Sequence, residues 1–167
     1  MYLLGKAKQF ATKAHNGQFR KKSNRPYICH PLEVVATLKS YGYYDEHILC
    51  AAWLHDVVED CEVTLEEIEK EFSPQIALLV DELTKRNDID LYEQISAAAK
   101  EAKIIKCADR ICNLQEIDWF ADKKWVNSYR NKTGKLITAI SLNDESIFQA
   151  LKCLYAKVGY LLGESNG

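Results

Sequence analysis

No stretch of this 167-residue chain approaches the roughly 20 consecutive apolar residues that span a bilayer. Its start, Met1-Tyr2-Leu3-Leu4-Gly5-Lys6, also lacks the charged-then-apolar plan of an export signal, so no membrane partner is expected. Charge of one sign is not in excess: 22 Lys and Arg against 24 Asp and Glu leave a net of -2, which gives no global field to recruit nucleic acid. Glycine and proline are scarce, at seven and three, and no tract of them marks a linker, which favours one domain over residues 1–163 with a short tail at 164–167. The six cysteines, at positions 29, 50, 61, 107, 112 and 153, include no CxxC pair. Four lie in strongly apolar surroundings, as core thiols do, and a reducing, cytoplasmic compartment is expected. Sustained alternation of apolar and polar residues is missing too, which argues against sheet.

What is present is helical spacing almost throughout, so the fold class expected is all-α, a compact multi-helix bundle. A first helix over residues 2–15 stops near Asn16-Gly17. Pro31 suits the first position and Gly42 the site just past the end of a helix over 31–41, with His30 at its entry. Asp45 caps a further helix running on through residue 60. Thr64 with Glu67 forms a capping box, and Ser73-Pro74 opens a helix that ends before Arg86-Asn87-Asp88. Later helices are expected over 91–99, 101–117, 122–142 and 145–162, the last with a core stripe of Ile147, Leu151, Leu154, Val158, Leu161 and Leu162.

Against that apolar background His55-Asp56-Val57-Val58-Glu59-Asp60 stands out. It gathers two potential metal ligands and two more carboxylates at the end of the run Ile48–Leu54. On a continuous helix His55 would lie over Glu59 and Asp56 over Asp60. Anions at a helix C-terminus are disfavoured by a few tenths to ~1 kcal/mol each, a penalty that a bound cation reverses. His30 and Asp109 offer further donors, and a buried carboxylate such as Asp109 is costly unless it is paired or metal-bound. Mixed imidazole and carboxylate ligation suits Mn²⁺, Fe²⁺ or Zn²⁺. A basic segment, Lys13 and Arg20 to Arg25, faces this acidic one in composition, which suits a polyanionic small molecule bridging the two. Each feature has a plainer reading when taken alone. His30 can be a cap before proline, and Asp109 a carboxylate paired with Arg110 or another base. The basic segment can be a solvated loop, and Asn113 an amide satisfying backbone. Tyr27 suits pocket lining or packing equally, and Trp119, Phe120 and Trp125 suit a core or subunit contact better than a stacking wall.

Four blocks taken together are more specific: Ala14-His15-Asn16-Gly17-Gln18-Phe19-Arg20-Lys21, Pro26-Tyr27-Ile28-Cys29-His30-Pro31, Ala51 to Asp60, and Ala108-Asp109-Arg110 with Asn113-Leu114. In order and separation they resemble the HD-domain metal-dependent phosphohydrolases, and within them the hydrolase domain of the RelA/SpoT family and its stand-alone small alarmone hydrolases. The resemblance implies that His30, His55, Asp56 and Asp109 bind one metal, usually manganese, and that Glu59 and Asp60 serve the hydrolytic water. It implies that Arg20 and an adjoining lysine, Lys21 or Lys22, bind the nucleotide, with Asn113 near the sugar. The reaction implied releases pyrophosphate from the 3′ position of guanosine tetra- or pentaphosphate, (p)ppGpp, to leave GDP or GTP. With no synthetase domain following, a hydrolase-only member of the stringent-response enzymes is implied. Self-association is left open.

The departures from the family pattern are specific. One residue is added between Arg20 and Pro26, Arg25 replaces a common acid, and Cys61, Cys107 and Cys112 stand where threonine, leucine and histidine are more frequent. Glu116 falls where a threonine beside the nucleotide is frequent and would repel phosphate if it faced the pocket. These differences keep two alternatives in view: hydrolysis of another phosphorylated nucleotide, such as the 2′-phosphate of NADPH, and a nucleotide-sensing module without turnover. The presence of both Glu59 and Asp60 argues against the second, since a pure binder has no use for them.

Overall fold

The centre of the molecule is a helix with no polar face. In the computed structural model, which describes residues 2–21, 23–117 and 122–161, every residue from Ile48 to Leu54 of helix α3 (Glu46–Leu54) is buried. A helix that is apolar all round needs partners on all sides. It finds them in α1 (Leu3–Ala14), α2 (Cys29–Ser40), α6 (Pro74–Leu83) and α8 (Lys100–Gln115). Short helices α4 (Val57–Asp60), α5 (Leu65–Glu71) and α7 (Leu91–Ala97) connect this layer, and α9 (Lys123–Ile140) and α10 (Ser146–Leu161) close it behind α8. One core runs through the assembly, from Ala7 on α1 to Val158 on α10. The all-α bundle is as expected: among the described residues the only extended pairing is a single bridge between Phe19 and Pro26.

The helix ends follow local chemistry. Asp45 accepts from the amides of His47 and Ile48, Thr64 and Glu67 form the reciprocal capping box, and Ser73 caps α6 with Pro74 behind it. Gly42, just past α2, takes a positive φ of 88°, which a residue with a Cβ rarely adopts. Two expectations at helix boundaries are corrected. The second helix begins at Cys29, not at Pro31, because Pro26 and Tyr27 carbonyls accept from the amides of Cys29 and His30 and start the turn early. The helix capped by Asp45 does not run through residue 60. It stops at Leu54, and Asp56, at φ -107°, breaks the axis before α4 starts. The remaining boundaries fall within a few residues of those expected.

Cys50, Cys107 and Cys112 are buried and all six thiols are free. Cys29 and Cys61 are half-buried and Cys153 is exposed, so one fewer cysteine is a full core residue than the apolar flanks suggested. Among the described residues no helix is long and apolar enough to cross a membrane. Leu162 and the tail 164–167 lie outside the described residues.

Helix α10 packs on α8, the helix that carries Asp109, and its Leu151 is fully buried. Leu151→Ala should therefore cost about 2–5 kcal/mol in urea unfolding. Tyr160→Ala, at an 82% exposed position, should cost under about 0.5 kcal/mol in the same measurement.

Candidate metal centre and adjoining pocket

The break after Leu54 is what turns His55 and Asp56 towards one point. His55 Nδ1 donates to the Ala52 carbonyl at 2.8 Å, which leaves Nε2 as the ring atom that takes up a proton or a cation. That Nε2 is buried without a hydrogen-bond partner and lies 3.0 Å from Asp56 Oδ2. His30, from the first turn of α2, places Nε2 3.8 Å from the same Asp56 oxygen and 3.1 Å from Asp109 Oδ1. One donor atom from each of His30, His55 and Asp56 falls within 4.8 Å of the others. Asp109 on α8 adjoins the group through His30. An orphaned imidazole nitrogen beside buried carboxylates is a donor set suited to a divalent cation.

Electrostatics agree. Burial alone would push the two carboxyls up, but His55 beside Asp56 holds that acid well below the usual carboxylate range. For Asp109 the opposing charge comes first from Lys106, whose Nζ is 3.1 Å from Oδ2, and then from His30. Burial lowers the affinity of His55 for a proton, yet Asp56 overrides it and raises its pKa to about 9. The site thus attracts positive charge. Lys106 was not singled out in the sequence, and only its spacing of three from Asp109 on one helical face marks it.

The acids beyond Asp56 separate. Tyr27 reaches both Asp56 Oδ2 at 2.7 Å and Asp60 Oδ2 at 2.9 Å, so Asp60 is tied to the metal candidates by one phenol. Burial and these two acids raise the Tyr27 pKa far above the ordinary phenol value, which keeps the hydroxyl protonated as a donor. Its ring stacks on His15 with centroids 4.6 Å apart. Glu59 is exposed and accepts from the Lys85 amide at 3.1 Å, just past the end of α6. The stacked columns expected of a continuous helix therefore hold for Asp56 and Asp60 and fail for His55 and Glu59.

Beside the centre lies a cavity of about 530 Å³ lined by Arg20, Lys21, Tyr27, Asp60, Asn113, Glu116 and Tyr129 among others. The basic segment forms its rim because the loop is closed at both levels, by Arg20 N–H to Arg25 O at 2.8 Å and Tyr27 N–H to Gln18 O at 2.9 Å. Asn113 links cavity and centre: its amide donates to Asp109 Oδ1 at 2.5 Å, and its Oδ1 accepts from Arg20 Nη2 at 2.7 Å. Glu116 does face the cavity, paired with Arg20 and not bare. Trp125 is 38% exposed, stacks on Tyr129 and lines the cavity, which corrects the core half of its expected core or subunit role. Lys22, Trp119 and Phe120 lie outside the described residues.

This bundle with a His-His-Asp cluster at a helix break is the architecture of a metal-dependent hydrolase. Residues 7–135 match the HD domain, and the chain belongs to the HD-domain family. The mouse guanosine-3′,5′-bis(diphosphate) 3′-pyrophosphohydrolase MESH1 is 32% identical over 95% of this chain and 96% of its own length, and human MESH1 is 31% identical over 93% and 94%. In structure, a metazoan ortholog of SpoT, described as hydrolysing ppGpp and acting in starvation responses, superposes with a TM-score of 0.82 at 26% identity, covering 99% of this chain and 98% of that one. An HD-domain hydrolase implies a divalent metal, and the cluster of His30, His55 and Asp56 is present to receive it.

A cation seated here binds only the folded state. Saturating Mn²⁺ should raise the thermal midpoint by about 5–10 °C, reversed by chelator. Asp109→Ala should remove the shift, read by scanning calorimetry with elemental analysis of the bound ion.

Proposed function

We propose that this protein is a metal-dependent guanosine-3′,5′-bis(diphosphate) 3′-pyrophosphohydrolase, which converts (p)ppGpp to GDP or GTP and pyrophosphate. The observation that carries the reading is the link through Asn113, a residue of the cavity wall that donates to Asp109 beside the metal candidates and accepts from Arg20 of the basic loop. The full-length similarity to MESH1 supports the same substrate.

In this reading His30, His55, Asp56 and Asp109 hold one ion, Mn²⁺ by analogy with the family. Bound there, a divalent cation supplies Lewis acidity that polarises phosphoryl oxygens and brings water within reach of deprotonation near neutral pH. The chain's own groups do the rest. Asp60, on the cavity wall and oriented by Tyr27, accepts the water proton. Asp60 then gives that same proton to the departing ribose oxygen, and Glu59, one residue before it, is assigned to orienting the water from the sequence pattern. Lys21 meets phosphate charge at the rim, Lys22 is assigned beside it from the sequence alone, and Asn113 contacts the sugar. Tyr27, Trp125 and Tyr129 enclose the base side and exclude water.

The direct test is incubation of the Mn²⁺-loaded protein with guanosine tetraphosphate, with GDP and pyrophosphate as the expected products in equal amounts. Glu59→Gln and Asp60→Asn should each keep the ion and lose turnover by about 10²–10⁴-fold, the range for removal of a general acid or base. Full activity in either variant would move the water-handling role elsewhere. Glu116 in the cavity favours one second reading, hydrolysis of another phosphorylated nucleotide such as NADPH at its 2′-phosphate, and a panel of nucleotides scored by released phosphate or pyrophosphate separates the two.

A further inference from the structure

Two acids on the cavity wall, Asp60 and Glu116, work against an anionic substrate, and Glu116 is the one paired with Arg20. It sits at the C-terminal end of α8, where its backbone closes the helix, and its side chain turns back into the cavity with 18% of its surface exposed. Arg20 approaches it along its forked edge: Nε donates to Glu116 Oε2 at 2.9 Å and Nη2 donates to the same oxygen. Nη2 also donates to Asn113 Oδ1. The remaining carboxylate oxygen, Oε1, lies 3.5 Å from Arg25 Nη1, and Arg25 itself donates to Glu33 at 2.6 Å. The donors with which Arg20 would clasp a phosphate bidentately are therefore already used by a carboxylate of the same chain. The charges along the wall cancel: Arg20 and Lys21 are opposed by Asp60 and Glu116.

We infer that Glu116 is a latch on Arg20, an internal competitor that a substrate phosphate must displace, and so the residue that sets the affinity of the cavity for phosphorylated ligands and how steeply that affinity depends on ligand charge. The inference rests on the nucleotide reading of the cavity. The exchange balances without covalent change: the ligand's phosphate oxygens take the Nε–H and Nη2–H donors of Arg20, and Glu116 keeps Arg25 as its cationic partner. A ligand with more charge at this end displaces the carboxylate more readily, so the latch favours highly phosphorylated nucleotides over mononucleotides. Glu116 acts through Arg20 and is a positioning residue, not a catalytic one.

The test uses the full chain loaded with Mn²⁺ and compares wild type, Glu116→Gln, Arg20→Ala and the double variant. Calorimetric binding of inorganic pyrophosphate and of GDP is measured together with the kinetics of guanosine tetraphosphate hydrolysis. Glu116→Gln keeps the shape and removes the charge, and it should tighten pyrophosphate and lower KM by about tenfold, the scale of one partly buried charge-assisted hydrogen bond. The change should fall on KM rather than kcat, and GDP should gain more than guanosine tetraphosphate, which narrows the charge preference. In the Arg20→Ala background the same substitution should have little effect, because the two groups act as a pair. Glu116→Asp, with the charge kept, should restore the wild-type KM in part. Weaker or unchanged pyrophosphate binding in Glu116→Gln overturns the latch, as does a gain that persists without Arg20. If the wild type fails to cleave guanosine tetraphosphate, the functional reading falls, while pyrophosphate binding still decides the role of Glu116. Circular dichroism melts of each variant identify any that fails to fold, and Glu116→Ala then serves as the second neutral variant.

Discussion

Four titratable side chains from three separate segments meet inside the hydrophobic core, and the rest of the molecule is arranged around that cost. Two carboxylates with little solvent contact would be expelled or neutralised if nothing positive faced them. Asp56 has His55 and His30 against it, and Asp109 has His30 and Lys106. The orphaned Nε2 of His55 completes a set whose unmet need is a cation. His30, His55 and Asp56 bring one donor atom each within 4.8 Å of the others, a spacing that a divalent ion would satisfy. The burial that makes the site expensive also makes it precise, because α3 and α8 are clamped on several sides and their side chains have little freedom to drift.

Outside the core the same constraint passes to the cavity through hydrogen bonds. Tyr27 holds Asp56 and Asp60 with one hydroxyl, and Asn113 holds Asp109 with its amide and Arg20 with its carbonyl. The loop from Gln18 to Tyr27 is the hinge of this arrangement in sequence, since it carries both the cationic rim and the phenol, and its short backbone ladder places the two on the same wall. The pairing of Arg20 with Glu116 adds a local feature that the four family blocks do not contain, because Glu116 lies just beyond the last of them.

Much of the fold was legible because it is written in local chemistry. Asp45, Thr64 with Glu67, and Ser73 with Pro74 each satisfy amides within three residues, so the helix starts they mark need no tertiary information. The break at Asp56 was not legible. Nothing in the composition of residues 46–60 forbids a continuous helix, and a helix is what the apolar spacing favours. The break follows from burial, since His55 must turn inward to bond the Ala52 carbonyl and face Asp56. The same break decoupled Glu59 from His55 and sent it to Lys85. Lys106 was passed over for a related reason: a lysine on a half-buried helix usually reaches solvent, and only the position of Asp109 opposite it draws its ammonium inward. Glu116 could be seen as an anomaly but not as half of an ion pair, because Arg20 is 96 residues away along the chain.

The amino-acid sequence alone determined the helical class, the capped ends of its helices, and the identity of the residues able to ligate a cation, because periodicity, capping and ligand chemistry are properties of short segments. Tertiary structure decided which acids join that centre, which cations are already spoken for and where the cavity opens. Those outcomes depend on distances between residues far apart in the chain, and only the packing of α2, α3 and α8 around one buried point sets them.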